Sequence, residues 1–213
     1  MKHENRILLV TGLIVLIISG IHPYDRATWL LEVMPVLLGV PVLILTYRRF
    51  PLTPLAYRLV FVHALILMLG GHYTYARVPP GFWVRDLFDL GRNHYDRLGH
   101  LAQGFIPAIL AREILFRCTP LARGGWLYFL VTSVCLALSA FYEFIEWWAA
   151  LIGGEAADAF LGAQGDVWDT QWDMFLAMVG AITAQILLSG VHDAELDRLG
   201  VSRKTGGNPS GEL

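Results

Sequence analysis

Three strings in this sequence concentrate side chains that can hold a cation or move a proton. The first is Asp96-Arg97-Leu98-Gly99-His100-Leu101-Ala102-Gln103, where helical geometry puts Asp96 and His100 one turn apart and Gln103 on nearly the same stripe. The second is Tyr142-Glu143-Phe144-Ile145-Glu146-Trp147-Trp148, in which Glu143 and Glu146 share a helix face. The third, Gln164-Gly165-Asp166-Val167-Trp168-Asp169-Thr170-Gln171-Trp172-Asp173, carries three carboxylates at helical spacings if its helix begins early. Oxygen-rich ligation with one or two imidazoles suits a divalent metal such as Zn, Mg, Mn or Fe, and the sequence does not choose among them. On that chemistry the candidate metal ligands are His100, Glu146, Asp96, Asp169 and His72. His100 and Glu146 come first, and Asp96 is also placed to orient His100 from behind. Glu143, Glu146 and Asp173 are the candidate catalytic groups for metal-assisted hydrolysis or transfer.

Plainer explanations stand beside these. Asp96 falls at an expected helix start, where a carboxylate caps free N–H groups, and Asp166 or Asp169 can cap the last helix in the same way. One of Glu143 and Glu146 can reach outer water or pair with Arg97. His63, in mid-span, reads better as a packing histidine than as a ligand, and His72 divides evenly between the two. Arg112 and Glu113 are expected to snorkel or pair.

The elements that position these groups follow from composition. The chain has 213 residues, 55% of them hydrophobic and 16% charged, too little polar surface to clothe a water-soluble globule. A membrane span needs roughly 20 mainly apolar residues. The expected fold is therefore all-α, a polytopic transmembrane helical bundle of about six spans, at residues 7–21, 29–46, 59–75, 96–116, 126–150 and 171–191. These form one transmembrane domain over residues 1–191, followed by a cytoplasmic tail, 192–213, that is partly disordered. The first run ends in Ile21-His22-Pro23-Tyr24 without a small-x-small cleavage site, so an uncleaved first helix is expected.

Cations set the expected orientation, because short loops rich in Lys and Arg stay on the cytoplasmic side. With both ends inside, inner segments hold eleven: Lys2, Arg6, Arg48, Arg49, Arg58, Arg112, Arg117, Arg123, Arg198, Arg203 and Lys204. Outer segments hold five: Arg26, Arg77, Arg85, Arg92 and Arg97. Asp96, His100, Glu143, Glu146, Asp169, Asp173 and His72 then all fall at the outer level of the bilayer. So many carboxylates need compensation there, from a divalent cation, from Arg92 or Arg97, or from shared protons. The loop 76–95, with Pro79-Pro80-Gly81, Phe82 and Trp83, reads as a lid or an interfacial segment. Cys118 and Cys135 are expected as packing residues with no disulfide. Trp29, Trp126 and Trp148 belong to the aromatic belt. The net charge of −2 gives no reason to expect nucleic acid as a partner; membrane lipids are the expected surroundings.

The three strings, taken together, resemble those of the YjdF-type inner membrane protein family of bacteria, over most of the chain from the first span to about Val191. That resemblance implies a multi-pass protein of the bacterial inner membrane and no particular reaction. A looser similarity links Asp96-Arg97-x-x-His100, then Glu143 or Glu146, then Asp169 to VanZ-like membrane proteins. The chain departs from that pattern at Asp173, where an amide is expected, followed by Val179-Gly180-Ala181. This second resemblance implies a role in the cell envelope. Three functional readings remain open: an enzyme acting on a lipid or lipid-linked envelope molecule, a small transporter or proton-coupled permease, and a structural or partner-binding membrane protein.

Overall fold

Helix starts follow the capping chemistry written in the sequence. In the computed structural model, which describes residues 3–154 and 158–201, Asp25 precedes α2 and its Oδ1 accepts the Thr28 N–H at 2.7 Å. Thr53 caps α3, accepting the Ala56 N–H at 3.3 Å, and Pro54 occupies the first helical position, where its missing N–H costs nothing. The helices are α1 (His3–Ser19), α2 (Arg26–Thr46), α3 (Pro54–Tyr73), α4 (Pro79–Leu87), α5 (Tyr95–Cys118), α6 (Gly125–Gly153), α7 (Asp158–Leu161) and α8 (Asp169–Arg198). A single 3-10 turn, Tyr75–Arg77, joins α3 to α4.

Six long helices overlap the expected spans, with earlier starts, while α1 and α3 stop two residues earlier than expected. Helix α3 starts at Pro54 rather than 59, and α8 runs to Arg198, so the first part of the expected tail is helical. Residues 202–213 of that tail lie outside the described residues. Four helices, α2, α3, α6 and α8, are long and apolar enough to cross a membrane by themselves. Helix α1 has 17 residues, about 25 Å at 1.5 Å per residue, near the short limit for a span. Helix α5 is too charged to face lipid, and the fold explains how it is tolerated: α8, α6 and α3 surround it. Its polar residues Asp96, His100, Arg112 and Glu113 are all buried.

Helices α5, α6 and α8 form the inner bundle, around Ile109, Phe116, Leu127, Val131 and Leu196. Helix α3 connects this bundle to α1 and α2. Small residues allow α5 and α8 to meet backbone to backbone. A Cβ at Gly180 would fall inside the van der Waals shell of the Leu101 carbonyl oxygen.

Polar residues gather at both ends of the bundle. At the end where α1 begins and α8 finishes, Glu113 is fully buried and fully partnered. It accepts from Thr53 N at 3.1 Å, Thr53 Oγ1 at 2.8 Å and Arg117 Nη1 at 2.7 Å, and lies 3.2 Å from His192 Nε2. Arg112 Nη1 donates to Asp193 at 2.7 Å, and Glu195 accepts the Leu55 N–H at 2.8 Å. Arg112 and Glu113 are thus both paired, with α8 and with the start of α3. Cys118 and Cys135 are both free, Cys135 buried in the bundle and Cys118 exposed.

Candidate functional site

The opposite end of the bundle holds the three strings. The first turns of α5 and α8 and the last third of α6 bring Asp96, His100, Glu143, Glu146 and Asp173 together, none more than 8% exposed. His100 sits at the centre. Its Nε2 lies 3.6 Å from Asp96 Oδ1 and 3.9 Å from Asp173 Oδ2, while Nδ1 faces Glu143 Oε1 at 3.9 Å. Glu146 completes a second group with His100 and Glu143, with ligand atoms within 4.8 Å of one another. These separations are too long for hydrogen bonds, and each group, Asp96 and Asp173 with His100 or Glu143 and Glu146 with His100, is close enough to hold an ion.

Four polar atoms in this space have no hydrogen-bond partner: Asp96 Oδ2, His100 Nδ1, Glu143 Oε1 and Asp173 Oδ1. Buried polar groups are nearly always satisfied, so a convergent set of orphans marks a place built for something else. The nearby cations do not answer them. Arg92 Nη1 donates to Asp169 Oδ1 at 2.7 Å and reaches Asp166 at 3.4 Å, and Arg97 pairs with Asp166. Only Asp96 is touched at longer range, 3.8 Å from Arg92 Nη2. Glu143, Glu146 and Asp173 have no cationic side chain against them among the described residues.

Two loops roof the site. Asn93 N donates to Gln164 Oε1 at 3.1 Å while Gln164 Nε2 donates to the Asn93 carbonyl at 2.8 Å, a two-bond clasp between the segment before α5 and the segment before α8. Arg92 adds a bond to the Ala163 carbonyl at 3.0 Å. His94, beside the clasp, is pushed below its ordinary pKa by burial and then by the charges of Arg97 and Arg92. Trp83 and Leu87 of α4 and Phe88 after it are exposed, as are Trp147 and Trp168, next in sequence to Glu146 and Asp169.

The expected site residues separate into three fates. Asp96, His100, Glu143, Glu146 and Asp173 converge. Asp169 stands at the rim, held by Arg92. His72 lies elsewhere: its Nδ1 is 2.9 Å from the Ser19 carbonyl, at the junction of α1 and α3. The capping explanation does not describe Asp96, since α5 is preceded by His94 with no side-chain cap and Asp96 faces His100. Nor does either aspartate cap α8 itself; Asp166 instead accepts the Trp168 N–H at 3.0 Å just before the helix. Glu143 and Glu146 do not pair with Arg97.

One residue enters the site unannounced. Glu32 of α2 is buried and accepts the Tyr142 hydroxyl at 3.0 Å, while the Tyr142 ring meets His100 edge to face at 6.2 Å. The signal was available: α2, like α5 and α8, begins at this end of the bundle, so an acid in its second turn belongs to the same level.

Fold and site together define a polytopic helical membrane protein with an enclosed imidazole and carboxylate centre at one end of its bundle. The chain belongs to the family described as "Predicted membrane protein (DUF2238)", whose model matches residues 4–194. It is similar to "Inner membrane protein YjdF" of Escherichia coli (strain K12), with 54% identity over 192 residues, 90% of this chain and 92% of that protein. No solved structure matches.

Proposed function

We propose that this chain is a bacterial inner membrane enzyme with an outward-facing divalent metal centre, acting on a lipid or lipid-linked envelope molecule. The observation that carries the reading is the convergence of Asp96, His100, Glu143 and Asp173 with buried, unpartnered oxygen and nitrogen atoms. Four carboxylates around one imidazole, without a paired cation for most of them, would repel one another strongly in a dry site. A divalent ion held by either group would offset that repulsion and satisfy the orphaned atoms on its side of the imidazole. His100, Asp96 and Asp173 supply one ligand set, and His100, Glu143 and Glu146 the other. When bound, such an ion supplies Lewis-acid polarisation of a phosphoryl or carbonyl oxygen. A carboxylate left outside the ligand set is placed to move a proton. The cation distribution supports placing both termini in the cytoplasm and the centre on the periplasmic side.

Elemental analysis of the detergent-purified protein, after dialysis against a weak chelator, tests the metal. Wild type is expected to hold Zn, Mn, Fe or Mg near stoichiometry, and His100→Ala and Glu146→Gln to lose it while keeping their helical circular dichroism. The reading is wrong if folded wild type carries no metal and gains no thermal stability from added Mg, Mn or Zn. Metal content unchanged in His100→Ala would also sink it.

A further inference from the structure

Helices α1 and α2 each pack on α3 but hardly on one another, and a groove remains between them with α3 as its floor. Leu9 and Leu13 of α1, Val40 and Leu43 of α2, and Phe61 and Ala64 of α3 line an apolar cavity of about 100 Å³ that is partly open along its side. The groove is closed at the site end, where Trp29 Nε1 donates to Ser19 Oγ at 3.1 Å. At the other end Asn5 Nδ2 reaches Tyr47 Oη at 3.5 Å, which makes a polar mouth on an apolar slot. A second cavity shares Met68 and carries the lining on to Ser19 and His72. From Asn5 to Leu16 the slot follows α1 for about 17 Å, close to the roughly 15 Å of hydrocarbon in one leaflet.

Positive charge collects beside the mouth. Several other arginines at the same end hold carboxylates, Arg58 on Glu4 at 2.6 Å, Arg117 on Glu113 at 2.7 Å and Arg123 on Asp197 at 2.6 Å, while Arg198 at the end of α8 forms no ion pair among the described residues. Arg6 and Arg48, next in sequence to the lining residues Asn5 and Tyr47, and Arg49 beyond them, are exposed and form no ion pair among the described residues. An apolar slot of acyl-chain length with unspent positive charge at its headgroup end has the form of one ligand class.

We infer that the α1–α2–α3 groove binds one anionic phospholipid, its acyl chain in the slot and its phosphate among Arg6, Arg48 and Arg49. The site is separate from the His100 centre and does not depend on what that centre does. A basic side chain at a membrane surface favours an anionic headgroup by about five-fold, so the three together predict a clear preference over a zwitterionic lipid.

Native mass spectrometry of the full chain, released from detergent with dioleoyl phosphatidylglycerol or dioleoyl phosphatidylcholine added, tests this. Wild type is expected to retain one phosphatidylglycerol at least about ten-fold more readily than phosphatidylcholine. The triple variant Arg6→Gln, Arg48→Gln, Arg49→Gln is expected to retain both equally. Gly12→Phe fills the slot, since a Cβ at Gly12 would rest 3.8 Å from Phe61, and is expected to retain neither. Photolabelling of wild type with a phosphatidylglycerol carrying a diazirine on its acyl chain gives a readout that needs no variant, with adducts expected on Leu13, Val40 or Phe61. Equal retention of the two lipids by wild type, preference surviving in the triple variant, or adducts confined to other helices overturns the inference. So does a lipid-free dimer, which would mean that a second copy covers this face.

Discussion

Gly104 of α5 and Ala177 of α8 touch so closely that a Cβ at 104 would overlap the Ala177 carbonyl oxygen. One turn toward the site on each helix stand His100 and Asp173, whose Nε2 and Oδ2 are 3.9 Å apart. The backbone contact therefore sets the spacing of two facing polar groups in the centre, with no loop between them to absorb error.

Gly104→Ala is accordingly expected to separate the helices at the site. Overpacking of this kind costs about 1–3 kcal/mol, read as a lower thermal midpoint in detergent. If the metal reading holds, metal retention falls in the same variant although no ligand has been changed. A Gly104→Ala protein with unchanged midpoint and unchanged metal would show that the α5–α8 spacing does not govern the centre.

The two polar ends of the bundle should answer mutation with opposite signs. Glu113→Ala strands Arg117 and His192 beside a lost partner, and removal of one member of a buried ion pair costs about 3–5 kcal/mol. Asp173→Asn and Glu143→Gln remove like charge from a crowd while keeping each side chain's size. In metal-free protein they are expected to leave the thermal midpoint unchanged or raise it, as often happens when a functional site is neutralised. Parallel thermal melts of the three variants decide this. A large loss in Asp173→Asn would identify the centre as a structural network like that around Glu113.

Roof and bundle should separate in hydrogen exchange. Gln164→Ala removes both bonds of the clasp to Asn93, and Arg92→Ala frees Asp169. Faster amide exchange in segments 88–95 and 162–168 is expected in both variants, with little change in the centre of α5 or α8. Exchange that stays at the wild-type rate in those segments would mean that α4 and the 3-10 turn hold the roof by themselves.

Orientation is open to a direct check. A reporter fused after Leu213 is expected to be active only as a cytoplasmic fusion, and one inserted near Asp89 only on the periplasmic face. The reverse pattern would place the His100 centre on the cytoplasmic side.

Much of this arrangement was legible before the fold. Six expected spans overlap six long helices, four of them long and apolar enough to cross a membrane by themselves, because the bilayer imposes both length and composition. The alternation of helix direction then gathered Asp96, His100, Glu143, Glu146 and Asp173 at one end. Helix ends were harder to read, since hydropathy stops at the membrane while backbone hydrogen bonding continues. Asp169–Arg198 therefore outruns its apolar segment at both ends. Thr53-Pro54 was a readable start for α3 that hydropathy concealed. His72 shows the limit of a level-based argument: sharing a depth in the bilayer does not settle which face of α3 a side chain takes. Glu32 shows the converse, an acid at the right level that the same rule should have included. The clasp between Asn93 and Gln164 could not have been read from either string, because it depends on two loops meeting.

Indole rings settle where headgroups begin, and Trp147 and Trp168 are neighbours in sequence of Glu146 and Asp169. They act as a depth gauge, holding the centre close to one plane of the bilayer. An amphiphile moving within that leaflet carries its headgroup in the same plane and meets the protein by a two-dimensional search. For such a molecule the quantity that governs encounter is its mole fraction in the leaflet, not its concentration in water.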